Sequence, residues 1–493
     1  MRALVPLCAA MLLLSGCAAE TQQNRDAFYH QQIRWSPCSD SNNPDWFQDT
    51  PPAGSTCARI LAPLDYRNTG ASAKKVSIPI ARLPAKAAKH GTLVLISGGP
   101  GDPGLSMLDM PFPEPIRQHY DIVSYDPRGV GQSTPAIRCV SNGDELTEEP
   151  VTAAAMEAAS RVFVDACVRA TGSEILRHIG SDEATDDLDI IRGVLGEQRL
   201  NLLAMSYGTQ IAAMYIDRYP RRYRAAALDG VVDVTENSVE MRAGQYRGHQ
   251  DTFDRVAAYC ATSYREGGRF PCPLGNDPAQ AQNVFHNILR TVEKGPAPTD
   301  AWDPVGPDTI LAALAASFPW PQNWTAFLNA LTAVRYGDGT AMYRLAYRDS
   351  GAPRSGALEA ITCADIADPT TDRATAQADA AKIYDAATYD DYQPRPAEFP
   401  LDTCAFWPTA GTARTYRPHR AKDSAPVLFI GTRHDPATPV QNAERMAQYL
   451  ESPLLIREGD GHTFVFNEIN RCGDDFVVHY LEHPEVAGTK VCE

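Results

Sequence analysis

The sequence predicts an α/β fold: a mostly parallel sheet with helices on both faces, interrupted by one helical insertion. Three observations carry this. Short apolar runs alternate with amphipathic stretches from residue 76 to residue 232. The rhythm stops between 235 and 410, where helix formers are broken by GPAPTDAWDPVGPD and DDYQPRPAEFP without a clear buried strand. It resumes at Pro426 with two further apolar runs. A helical block between late strands of one sheet reads as a lid. The predicted units are a first core part (55–234), a lid (235–410) and a second core part (411–493).

The elements follow in order. Met1-Arg2, the apolar run Ala3 to Leu14 and small residues before Cys17 describe an export signal over 1–16 rather than a helix of the fold. Its Leu14-Ser15-Gly16-Cys17 ending resembles a bacterial lipobox. That resemblance implies cleavage before Cys17 and lipid on this cysteine, so a membrane-anchored lipoprotein facing the periplasm or the cell exterior. Residues 17–54 would form a tether and N-terminal segment. Val76 to Arg82 alternates as a strand does. GTLVLI (91–96) is a buried strand running into Ser97-Gly98-Gly99-Pro100-Gly101, and YDIVSY (120–125) is another, ending at Asp126-Pro127-Arg128-Gly129. A helix capped by Ser181 stops at Gly196. LNLLAM (200–205) is a strand, Thr209 to Tyr219 a helix ended by Pro220, and Ala225 to Val232 the next strand. PVLFIG (426–431) and PLLIR (453–457) complete the series.

Composition excludes several functions. The formal charge is −16, and no Lys/Arg run exceeds two residues, which argues against nucleic acid as a partner. Beyond the N-terminus no apolar run approaches the ~20 residues of a membrane span. Of the 12 cysteines, Cys8 leaves with the signal and Cys17 carries lipid. The rest, an even number in an exported chain, read as disulfides. They can pair in roughly 900 ways. Nearest-neighbour pairing is expected because it closes five short loops. No Cys-x-x-Cys occurs and the histidines are scattered, so neither a metal nor another cofactor is expected.

The chemistry centres on Leu202-Leu203-Ala204-Met205-Ser206-Tyr207-Gly208-Thr209. A strand runs into Ser206 and a helix starts at once. A turn this sharp forces the serine to positive φ and lifts its oxygen above the sheet edge. Strand and helix nearly touch there, so residues two positions either side must be small; Gly208 and Ala204 are. The helix that follows aims its first N–H groups at the site. Serine alone is a weak nucleophile and needs a base, which needs an orienting carboxylate. Asp435, after PVLFIG, and His462, after PLLIR, stand in the chain order this chemistry requires. Asp229 at the end of the preceding strand is the rival acid. The oxyanion hole would take one donor from Gly98 or Gly99 and a second from the Tyr207 N–H. Arg128 reads as the partner of a structural carboxylate, and Trp320, Trp324 and Trp407 as lid core.

Ser97-Gly98-Gly99-Pro100-Gly101, Asp126-Pro127-Arg128-Gly129-Val130-Gly131-Gln132-Ser133, the Ser206 elbow, Asp435 and His462 together resemble the α/β-hydrolase peptidases of the proline iminopeptidase and tripeptidyl aminopeptidase type. The resemblance spans about 55–235 and 400–493. Proline iminopeptidases usually carry His at the position of Ser97, so the sequence is nearer the tripeptidyl branch. The resemblance implies an α/β-hydrolase fold and a serine exopeptidase that releases short peptides from free N-termini. It also implies a lid carboxylate for the substrate ammonium. Asp365 in Ile361-Thr362-Cys363-Ala364-Asp365 is the first candidate, then Glu236 and Glu240. A carboxylesterase or lipase with the same triad is the alternative.

Overall fold

The computed structural model describes residues 26–39, 51–139, 152–264, 271–300, 302–347, 356–421, 423–486 and 488–493. The expected export signal (1–16), Cys17 and part of the expected tether lie outside the described residues. Ten strands form one sheet in the order β1-β2-β3-β5-β4-β6-β7-β8-β9-β10. They are β1 Ser36–Pro37, β2 Thr56–Pro63, β3 Lys75–Leu83, β4 Gly91–Ile96, β5 Tyr120–Tyr125, β6 Leu200–Met205, β7 Tyr223–Asp229, β8 Leu428–His434, β9 Leu454–Asp460 and β10 Lys490–Cys492. The first three pair antiparallel, as does β3 with β5. From β5 to β10 every pairing is parallel.

The central strands are apolar on both faces, as a sheet covered on both sides requires. Val94, Ile96, Leu202, Ala204, Leu228 and Phe429 point to one face. There α2 (Ser181–Val194), α3 (Gly208–Arg218) and α11 (Val440–Tyr449) cover them. Leu93, Leu95, Leu203, Ala227, Leu428 and Ile430 point to the other, under α12 (Arg471–Glu482). Register pairs Met205 with Asp229 and Asp229 with Ile430. The carboxyl ends of β4, β6, β7, β8 and β9 therefore share one edge, where ligands of such sheets bind.

Several boundaries differ from the sequence reading. β7 stops at Asp229 because Gly230 turns the chain at φ 72°. β8 and β9 run on to His434 and Asp460, which pair with each other. Ser181 is the first residue inside α2, not its cap; the preceding Gly180 has no capping side chain. Asp365, far along the chain, accepts the Ser181 N–H at 2.7 Å instead.

Between β7 and β8 the described chain is helical: α4 (Ser238–Tyr259), α5 (Ala281–Lys294), α6 (Pro307–Ser317), α7 (Trp324–Arg335), α8 (Thr340–Tyr347), α9 (Ala357–Asp365) and α10 (Arg373–Tyr384). Phe253, Phe285, Leu289, Ile310, Phe318, Trp324 and Phe327 form a separate apolar core within this lid. Trp407 is buried in a smaller cluster, packed with α9 and α1 (Ala153–Thr171). The lid's return path stays with α9 through Gly411 to Ala413, and Tyr416 then reaches the core at Val234. Disulfides join Cys38–Cys57, Cys139–Cys167, Cys260–Cys272, Cys363–Cys404 and Cys472–Cys492, the nearest-neighbour pattern.

Candidate active site

Ser206 links β6 to α3 at φ 52°, a conformation non-glycine residues seldom adopt. Its N–H donates to the Asp229 carbonyl at 2.8 Å, so the neighbouring strand holds the elbow. A Cβ on Gly208 would lie 2.5 Å from the Ile96 carbonyl oxygen, so only glycine fits where helix meets strand. A Cβ on Gly98 would lie 2.9 Å from Ser206 Cβ, so the β4 loop packs directly against the serine. Gly99 and Gly101 in that loop take φ 102° and 99°. Among the described residues, the N–H groups of Gly98, Gly99 and Tyr207 make no backbone hydrogen bond in the turns around the serine.

His462 and Asp435 meet as the chain order requires. His462 Nδ1 lies 2.8 Å and 2.9 Å from the two Asp435 carboxylate oxygens. Asp435 is held by the N–H groups of Ala437 and Thr438, at 2.8 Å and 2.9 Å, and by the Thr438 hydroxyl at 3.1 Å. His462 Nε2 is buried and has no partner among the described residues. A Cβ on Gly230 would lie 2.8 Å from His462 Cε1. Ser206 bonds to residue 229 and His462 abuts residue 230, so both flank one corner at the end of β7. Burial alone would lower the imidazole pKa. The charge and hydrogen bond of Asp435, with the charges of Asp229 and Asp102, outweigh it and raise the value above the usual 6.5. Asp229 makes no hydrogen bond to the ring, although its charge reaches it. Its Oδ2 accepts the N–H groups of Phe464 and Val465 at 2.7 Å and 2.9 Å, clasping the loop that carries His462. Burial pushes the Asp229 carboxyl up to about 6.

The lid presses on this loop. His462 N–H donates to the Pro319 carbonyl at 3.0 Å, and Arg255 of α4 pairs with Asp460. A Cβ on Gly248 of α4 would lie 3.0 Å from the Asp435 carbonyl oxygen.

Residues 91–263 match the family described as alpha/beta hydrolase fold, and residues 393–492 match the family described as TAP-like protein. The serine protease Hip1 of Mycobacterium tuberculosis is 32% identical, over 96% of this chain and 94% of that protein. The chain belongs to the TAP-like α/β-hydrolases. Carboxylesterase B of Mycobacterium tuberculosis is 31% identical over 86% of this chain and 84% of that protein. A tripeptidyl aminopeptidase of Streptomyces lividans is 26% identical over 91% and 84%. The protein is thus an enzyme of the hydrolase class.

In this TAP-like hydrolase the Asp126 to Ser133 segment is scaffold. Arg128 is buried and bidentate to Asp187, at 2.7 Å and 2.6 Å, and donates to the carbonyls of Pro63, Leu64 and His178. Asp126 accepts the N–H groups of Leu105 and Gln132. A Cβ on Gly131 would lie 2.3 Å from the Asp126 carboxylate.

The three carboxylates expected to bind a substrate ammonium are all engaged within the chain. Asp365 is buried and accepts from Ser181, Tyr207 and Gln210. Glu236 pairs with Arg445 of α11. Glu240 closes the capping box of α4 with Asn237. Asn237-x-x-Glu240 is itself a helix-start pattern, so that role was readable beforehand. Sequence reasoning missed Thr438 and Pro319, which no local pattern marks, and saw Asp229 only as a rival acid. It also missed Asp102, which follows the β4 loop and whose charge reaches His462. The Asp102 side chain is exposed, yet loss of surrounding water in the cleft raises its carboxyl pKa while the charge of His462 pulls it back.

Proposed function

We propose that this hydrolase is a serine exopeptidase that releases short peptides from free amino termini through Ser206, His462 and Asp435. The observation that carries the reading is the buried Asp435–His462 pair with an open Nε2 at the same corner as the strained Ser206. His462 takes the hydroxyl proton as Ser206 Oγ attacks the scissile carbonyl. The oxyanion meets the N–H of Tyr207 and that of Gly98 or Gly99. Collapse expels the amine, which takes the proton from His462 and leaves an acyl-enzyme. Water then attacks the acyl carbon, passing a proton to His462, and collapse releases the peptide acid as Ser206 Oγ takes that proton back.

The serine protease and the tripeptidyl aminopeptidase among its relatives support an amide substrate. Asp102 is the carboxylate we propose for the ammonium, since it is exposed on the β4 loop whose Gly98 packs directly against Ser206. The test compares tripeptidyl and single-residue p-nitroanilides with their N-acetylated forms. Free-amine substrates are expected to be cleaved at least tenfold faster (about 1.4 kcal/mol), and Asp102→Asn should narrow the gap. Equal rates with and without the acetyl group contradict an aminopeptidase. Ester hydrolysis without amide cleavage would instead establish the esterase reading, which the carboxylesterase relative favours.

The five disulfides fit an oxidising compartment. We further propose that Cys17 carries lipid. Cys17→Ser should move the protein from the membrane to the soluble fraction, and unchanged partition contradicts the anchor.

A further inference from the structure

We propose that the lid helix α9 sets the geometry of the oxyanion hole, with Asp365 as the positioning residue that fixes Tyr207. The inference rests on the reading of Ser206 as nucleophile. Tyr207 follows Ser206 directly and carries one oxyanion donor on its backbone. Its phenol donates to Asp365 Oδ2 at 2.7 Å. The same oxygen takes the Gln210 amide at 3.1 Å, one turn further along α3. Asp365 Oδ1 takes both the N–H and the hydroxyl of Ser181, at 2.7 Å and 2.9 Å. One lid carboxylate thus joins the start of α2 to the start of α3.

The other end of α9 meets the other half of the hole. A Cβ on Gly101 would lie 2.9 Å from Ala357 Cβ and 3.2 Å from the Leu358 N. Gly101 ends the loop whose Gly98 or Gly99 would supply the remaining donor. A helix of this length spans about 13 Å. It therefore reaches from one donor loop to the residue bearing the second donor.

The helix is braced for such a task. Cys363–Cys404 ties it to the lid's return path. The N–H groups of Gly411, Thr412 and Ala413 donate to the carbonyls of Ile366, Ala364 and Asp365 at 3.0 Å each. Gly356, just before the helix, packs so closely that a Cβ would lie 2.6 Å from Cys139 Cβ. Burying a carboxylate is unfavourable unless donors surround it. Burial lifts the Asp365 pKa to about 6, against the pull of Ser181 and Tyr207. Its two oxygens accept all four donors. Donor placement within about half an ångström is what oxyanion stabilisation demands.

Tyr207→Phe removes only the phenol and keeps the backbone donor. Asp365→Asn keeps an acceptor for Ser181 but opposes its amide to Gln210. Both single variants and the double variant are compared with the full-length enzyme. Three quantities are read: kcat, KM, and the rate at which a fluorophosphonate modifies Ser206. Each single variant should lose about tenfold in kcat and in modification rate, less than the ~10²–10³ of deleting a donor. KM should stay within about twofold, because an oxyanion forms only in the transition state. The double variant should be no slower than the slower single, since both act through one link.

Wild-type modification rates in both single variants, losses that multiply in the double, or a change confined to KM overturn the inference. If Asp365→Asn does not fold, Tyr207→Phe decides alone, because it leaves the bonds to Ser181 and Gln210 in place. If the wild-type enzyme is not modified at Ser206, the nucleophile reading falls and this inference with it. If the wild type reacts and both variants match it, only this inference falls.

Discussion

Ser206 sits at φ 52° because the β7 carbonyl of Asp229 and the β4 loop leave it no relaxed alternative. Ser206→Ala should abolish turnover while thermal unfolding stays near wild type; full residual activity would remove Ser206 as nucleophile. Asp435→Asn should lower kcat by about 10⁴-fold, because an amide cannot hold the required imidazole tautomer. The base must be neutral to act, and the His462 pKa lies above 6.5 in the folded enzyme. The acid limb of kcat/KM should therefore have its midpoint above pH 6.5. The stability linkage runs the other way. The folded pKa is raised, so the Asp435–His462 pair contributes fully below about 6.5 and its contribution is lost as pH rises through the folded value. A pH profile with its midpoint below 6.5 contradicts this assignment. Ser206, Asp435 and His462 stand out in the sequence because each follows an apolar strand and small residues flank the serine, and the structure brings Asp435 and His462 into hydrogen-bond contact. The bonds of Asp365 were not legible. Its partners Ser181 and Tyr207 lie 184 and 158 positions away, and no local pattern records such pairings.

Elements explain why glycine and arginine recur near the site. Gly208→Ala would drive a methyl group against the carbonyls of Ile96 and Ser97. We expect a loss of ~1–3 kcal/mol in denaturant unfolding, as for other overpacked contacts, with activity falling alongside. Arg128→Ala would leave the buried Asp187 unpaired, which typically costs ~3–5 kcal/mol. Because Arg128 touches no reacting group, activity per folded molecule should remain within a few-fold of wild type. A large loss of kcat in well-folded Arg128→Ala would show that the segment does more than support. The core strands were readable from apolar runs, and β4, β5 and β6 match their expected limits residue for residue. The edges were not. β10 has three residues and β1 two, too short to carry a periodic signal. β7 ends early because a single glycine turns the chain, which an apolar count through Val232 does not register.

At the scale of the molecule, a sheet edge holds Ser206, Asp435 and His462, and a helical insertion packs on the loop of His462. The insertion was visible as a break in strand rhythm, and its attachment at Pro319, Arg255 and α9 emerges only in three dimensions. Cys363–Cys404 closes part of that attachment. Replacing both cysteines by serine should lower stability by ~2–4 kcal/mol, read as a shift in the unfolding midpoint. In the proposed mechanism Ser206, His462 and Asp435 work as one unit at this edge. Peptide mapping after inactivation by a fluorophosphonate tests it most directly. One adduct is expected, on Ser206, forming in step with the loss of hydrolysis and absent in His462→Ala. Complete inactivation with Ser206 unmodified, or an adduct that forms as fast without His462, would contradict it.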